Sequence, residues 1–149
     1  MKKVFYSTLA FAFVLTTTSC SNDDSGSSNT TVAEVTTTIT DGEWRITNFT
    51  EDGDSHTSDF TDYVFTFEDN NVIIADNGTT EYFGNWLVAE SSDDNSSNDV
   101  DLDIGFNSPA NFAELTEDWD VIERTSTKVR LKHTSGGDGS VDYLTFEKN

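Results

Sequence analysis

The sequence predicts an all-β domain of about eight antiparallel strands, and three observations carry that expectation. Apolar and polar residues alternate in short segments from Asp41 to Asn149. Turn chemistry closes each segment, with Asn77-Gly78 the clearest hairpin signal. No stretch holds a helical period of useful length, Ala110 to Glu117 offering one short turn at most. Many strands with brief connections fit an up-and-down barrel or a sandwich.

The elements follow in order. Trp44 and Ile46 alternate with Glu43, Arg45 and Thr47, as a half-buried strand requires. Tyr63 to Phe67 forms the next strand and ends at the turn residues Asp69-Asn70-Asn71. Val72 to Ala75 runs into the Asn77-Gly78 hairpin, and Thr79 to Ala89 makes one long strand or a bent pair, with Gly84 at the bend. After the polar loop Ser91 to Asn98, Val100, Leu102, Ile104 and Phe106 alternate with aspartates. A loop around Pro109 and Phe112 leads to Trp119 and Val121, then to Val129, Leu131 and His133. Ser135 to Gly139 turns the chain into the last strand, Val141 to Glu147. Asp118 and Asp120 on one strand are expected to face Lys128, Arg130 and Lys132 on the next, an ordinary stabilising stripe of opposite charge.

The first forty residues differ in kind. Met1-Lys2-Lys3 is basic, Val4 to Leu15 is apolar and uncharged, and Thr16 to Ser19 narrows to small residues before Cys20, the only cysteine. This is the layout of a secretory signal, and the apolar run is short of the roughly 20 residues that span a bilayer. The cysteine after small residues resembles the lipobox of bacterial lipoproteins. That resemblance implies cleavage of residues 1–19, acylation of Cys20, and an envelope address at the outer membrane, facing the periplasm or the exterior. Several acyl chains, at about 0.8 kcal/mol per buried CH₂, would hold such an anchor stably. Residues 20–40 then serve as the acylated cysteine and a flexible Ser/Thr/Asp linker, although Val32, Val35 and Ile39 are also able to supply an extra edge strand. Asp23-Asp24 resembles the acidic signal that sends some such lipoproteins to the cell surface.

The formal charge is −20 over 149 residues, and loss of Lys2 and Lys3 makes the mature chain more acidic still. Such a field disfavours nucleic acid and anionic lipid surfaces, and it discourages self-association, so a monomer is expected. Aromatic content of 12% concentrated in periodic segments argues for a folded core rather than disorder.

Gly42-Glu43-Trp44 at the start of the first strand resembles the lipocalin signature. Tyr63 to Phe67 and the closing Leu144 to Lys148 extend the likeness to the lipocalin-like domains of bacterial surface lipoproteins, over residues 41–149. The resemblance implies a closed eight-stranded up-and-down barrel with Trp44 at its floor. In that family a late Arg stacks on the floor Trp; Arg124 and Arg130 fall on the outward face here, which leaves Lys148 for the role.

The expected interior set is Trp44, Phe65, Phe67, Trp86, Phe106 and Trp119, candidates for lining a ligand pocket. A barrel of this size holds one small molecule or is filled by its own side chains, and the two arrangements look alike in sequence. Outward aromatics such as Tyr63 or Phe49 would form an exposed patch if the barrel is filled and meets a partner through its surface. Asp52, Asp54 and His56 alternate in an acidic loop and are the candidate ligands for a divalent ion, against the plain alternative of a solvated loop. His133 falls near a strand end, where a hydrogen-bonded structural histidine is the ordinary state. No nucleophile stands beside a base, and no glycine-rich loop leads into a helix, so the chain is expected to be non-enzymatic and without a cofactor. The leading expectation is a lipid-anchored module binding a small apolar or amphipathic molecule. The alternative is a structural or interaction module meeting an envelope protein or glycan.

Overall fold

Alternation and turns do build a closed antiparallel barrel. The computed structural model describes residues 30–91, 99–137 and 139–149. The leader, Cys20 and most of the polar loop before Asp99 lie outside the described residues. The strands are β1 (Glu43–Glu51), β2 (Asp54–Ser55), β3 (Val64–Phe67), β4 (Val72–Asp76), β5 (Glu81–Glu90), β6 (Val100–Gly105), β7 (Glu117–Arg124), β8 (Lys128–Thr134) and β9 (Val141–Lys148). Every neighbouring pair is antiparallel, and β1 pairs with β9 to close eight strands into a ring. The two-residue β2 only lengthens the hairpin at the far end of β1.

Local chemistry fixes the register. Asn77 carries the β4–β5 turn: its side-chain oxygen accepts from the backbone N–H of Thr79 and Thr80 at 3.0 and 2.8 Å, and Gly78 takes a φ of 78°. β5 runs through Gly84 without breaking. The glycine is there for close approach, because a Cβ would collide with the Gly105 carbonyl and press on Ile73 and Phe106. On β6, Val100, Leu102 and Ile104 turn inward and are buried, while Asp101 and Asp103 are half-buried on the outer face.

Both ends of the ring are covered. At the end where β1 begins lies helix α1 (Val32–Ile39), opened by a reciprocal capping box between Thr31 and Glu34. Its Val35 and Ile39 are fully buried, and the Trp44 indole N–H donates to the Ile39 carbonyl at 2.8 Å. Arg124 on β7 reaches the same helix, 3.4 Å from Glu34 and 3.3 Å from the Thr38 hydroxyl. The opposite end is closed by a 3-10 helix (Thr57–Phe60) and by α2 (Ala110–Ala113), which bury Phe60 and Phe112.

Three expectations are corrected. Val32, Val35 and Ile39 form a helix, not an edge strand, and the flexible linker placed over residues 20–40 does not extend through Thr31–Thr40. Burial of one helical face against the barrel outweighs the poor helix propensity of a Val/Thr-rich segment. Phe49 is buried, not outward, because a bulge between Ile46 and Asn48 inserts one residue and flips the alternation. The charge stripe is shifted likewise by an irregularity between Val121 and Glu123. Asp120 does face Lys132, but the ion pairs are made by Glu123, at 2.6 Å to Lys128 and 3.0 Å to Arg130.

Candidate functional site

The six residues expected inside the barrel are all inside it. Trp44, Phe65 and Trp119 are fully buried, and Phe67, Phe106 and Trp86 are at most 4% exposed. Their neighbours are one another and further rings. Phe146 stands edge-on between Phe65 and Phe67, 5.5 Å from each, and Phe67 meets Trp86 at 5.6 Å. Phe112 packs on Phe106 and Phe60 at 5.1 and 5.2 Å. Each such edge-on pair adds about 0.5–1.5 kcal/mol beyond simple burial. The indole N–H groups are satisfied by backbone: Trp86 donates to the Glu68 carbonyl and Trp119 to the Leu115 carbonyl, both at 3.1 Å. Lys148 lies 5.6 Å over the Trp44 ring, where the lipocalin resemblance expects a late cation.

Among the clefts of the described surface are three of about 280, 290 and 450 Å³, and these are lined by none of those six residues. The first sits over β6 and β7 and is lined by Asp101, Asp118, Asp120, His133, Ser91 and Thr134, among others. Here Asp101 stands directly opposite Asp120, and Asp103 opposite Asp118. Partial burial pushes the carboxyl of Asp101 above its usual range, with Asp120, Asp118 and Asp103 adding repulsion and Ser91 opposing the shift by a hydrogen bond. Burial and then Asp118 raise Asp103 in the same way.

The acidic loop also departs from its sequence reading. Asp52, Asp54 and His56 do not share a face, because the chain turns sharply at Asp52 and Gly53, with φ values of 52° and 88°. The Asp52 N–H donates to the Asp142 carboxylate at 2.9 Å, and Asp54 is exposed opposite Glu51. His56 instead meets Glu51 at 4.0 Å and both Asp59 and Glu114 at 3.9 Å. Burial, then repulsion from Glu114, raises the Glu51 carboxyl, while His56 draws it down. Glu114 lies 58 positions after His56, so no local spacing pointed to it. His133 is half-buried, its Nδ1 3.2 Å from the Asp118 carbonyl, with Glu117 at 3.6 Å.

Outward apolar residues are few. Phe83 and Leu87 on β5 are 60% and 50% exposed, and Phe83 lies opposite Ile74 on the outer face of β4. Tyr63, expected outward, is half-buried against Tyr82 and Phe112 at 5.9 and 5.0 Å. No protein-family model matches the chain, and neither a curated protein nor a solved structure matches it.

Proposed function

We propose that the chain is a lipid-anchored, non-enzymatic module of the bacterial envelope whose barrel is a filled scaffold that works through its outer surface. The observation that carries this reading is the interior: Trp44, Phe65, Phe67, Trp86, Phe106 and Trp119 are buried, and they meet other rings or donate to backbone carbonyls. Coverage of both ends by α1, the 3-10 helix and α2 supports it further. Phe83 and Leu87, four positions apart on the outward side of β5, are apolar residues such a surface would offer to a protein or glycan. The anchor rests on the basic-apolar-small layout ending at Cys20.

The other reading, a cup for one small apolar or amphipathic molecule, makes the opposite demand on the same six residues. Titration of the full chain with fatty acids, retinoids and haem-like compounds, followed by tryptophan fluorescence and native mass spectrometry, separates the two. A filled scaffold gives no saturable tryptophan response and no bound molecule. A one-to-one complex that moves the emission of Trp44, Trp86 or Trp119 overturns it in favour of the cup. The anchor is tested apart from this: the mass of the product from a bacterial envelope should show residues 1–19 removed and Cys20 acylated.

A further inference from the structure

We propose that His56, Glu51 and Glu114 bind one divalent transition-metal ion, which ties together the loops at the α2 end of the barrel. The three residues come from separate elements: the end of β1, the link from β2 to the 3-10 helix, and the C-cap of α2. One ligand atom from each lies within 4.8 Å of the other two. His56 Nε2 is 4.0 Å from Glu51 and the other ring nitrogen, Nδ1, is 3.9 Å from Glu114, both too far for hydrogen bonds. Two ligands on a tetrahedral zinc ion stand about 3.4 Å apart, given metal–ligand bonds of about 2.1 Å. The three ligand atoms, now up to 4.8 Å apart, would therefore need to draw together by at most about 1.4 Å to hold an ion through one ring nitrogen.

The backbone under these ligands is anchored. The His56 N–H donates to the Phe49 carbonyl at 3.0 Å, and its ring lies 5.8 Å from the buried Phe49 ring. Glu114 sits between the buried Phe112 and Leu115. Among the described residues no Lys or Arg forms an ion pair with any of the three, while Asp59 adds another carboxylate 3.9 Å from the ring. An ion would supply the positive charge that the cluster lacks. One imidazole nitrogen with two carboxylates suits zinc, manganese or cobalt better than calcium, which prefers six to eight oxygens. The ligands are each about a third exposed, at 33%, 39% and 38%, so the ion can enter and keep an open position for water. The second histidine cluster is the natural contrast: Glu117 and Asp118 are adjacent in sequence and exposed, and His133 Nδ1 already faces a backbone carbonyl.

The test is calorimetric titration of the full chain with Zn²⁺ in excess Mg²⁺, which occupies the general acidic surface. One saturable site per chain is expected, with a rise in melting temperature at saturation. His56→Gln and Glu114→Gln should each weaken it at least tenfold, and His133→Gln should leave it intact. Far-UV circular dichroism checks that each variant folds, and the exposed position of Glu114 keeps that variant informative if His56→Gln does not. A site that survives in a folded Glu114→Gln, disappears in His133→Gln, or is never resolved above the Mg²⁺ background overturns the proposal.

Discussion

Strand β7 has two seams, and they are built on opposite principles. Toward β8 it presents Glu123 to Lys128 and Arg130, and Asp120 to Lys132. Toward β6 it presents Asp120 to Asp101 and Asp118 to Asp103, carboxylate against carboxylate. Opposite charges across a strand pair stabilise it and like charges oppose it, by roughly 0.2–1 kcal/mol per pair. The β6–β7 seam nevertheless forms, so its inward face must hold it. There Leu102 is paired with Trp119, and both are fully buried. Apolar packing outweighs the outer repulsion, which teaches that charge on this protein tunes a sheet that burial has already fixed.

The largest break in that comparison should come from the inner face. Leu102→Ala is expected to cost about 2–5 kcal/mol in denaturant unfolding, more than any change to the charges outside. If it costs less than 1 kcal/mol, burial is not what holds the acidic seam.

Neutralising the outer face should act with the opposite sign. Asp101→Asn combined with Asp103→Asn is expected to stabilise the protein by about 0.5–2 kcal/mol, since it relieves both opposed pairs at once. Acid should reach part of the same gain without mutation. The folded carboxyls of Asp101 and Asp103 hold protons that the unfolded chain has already lost, because their folded pKa is raised. Their contribution is therefore full below the ordinary carboxylate range and is lost as pH rises through the folded value. Melting temperature should climb as pH falls from neutral toward that range, and the climb should shrink in the double Asn variant.

The other seam answers to acid in reverse. Hydrogen bonds from Lys128 and Arg130 hold Glu123 below its usual value, so its contribution fades only as pH falls through that depressed range. Glu123→Gln is the smallest expected effect, a loss of about 0.5 kcal/mol or less for exposed ion pairs, and 1 M salt should mask it. A loss that persists in salt would mean that Glu123 acts through packing rather than charge.

Sequence pattern reached the barrel because period-two alternation is a local property. Val100 to Phe106 announces which side is inward without knowledge of any partner strand. The same reasoning put all six expected interior residues among the buried ones. It failed wherever one residue is inserted, since the bulge after Ile46 turned Phe49 from outward to buried. Helix α1 was hidden by its composition, three of its eight residues being Val or Ile and three Thr, though Thr31-x-x-Glu34 is a capping-box signature. The acidic loop was only partly legible: the carboxylates gathered around His56 are Glu51, Asp59 and Glu114 rather than Asp52 and Asp54. Alternation along an acidic loop says nothing about a tight turn at Asp52-Gly53, nor about a carboxylate delivered from α2.

Closure of β1 on β9 has one more consequence. An open sheet leaves a fringe of unsatisfied amides that any passing extended peptide can stitch onto, the first step toward fibrous deposits. A ring has no such hem, and among the described residues the strand at the open border is the two-residue β2. A partner docking on the paired strands of this wall would meet side chains before backbone.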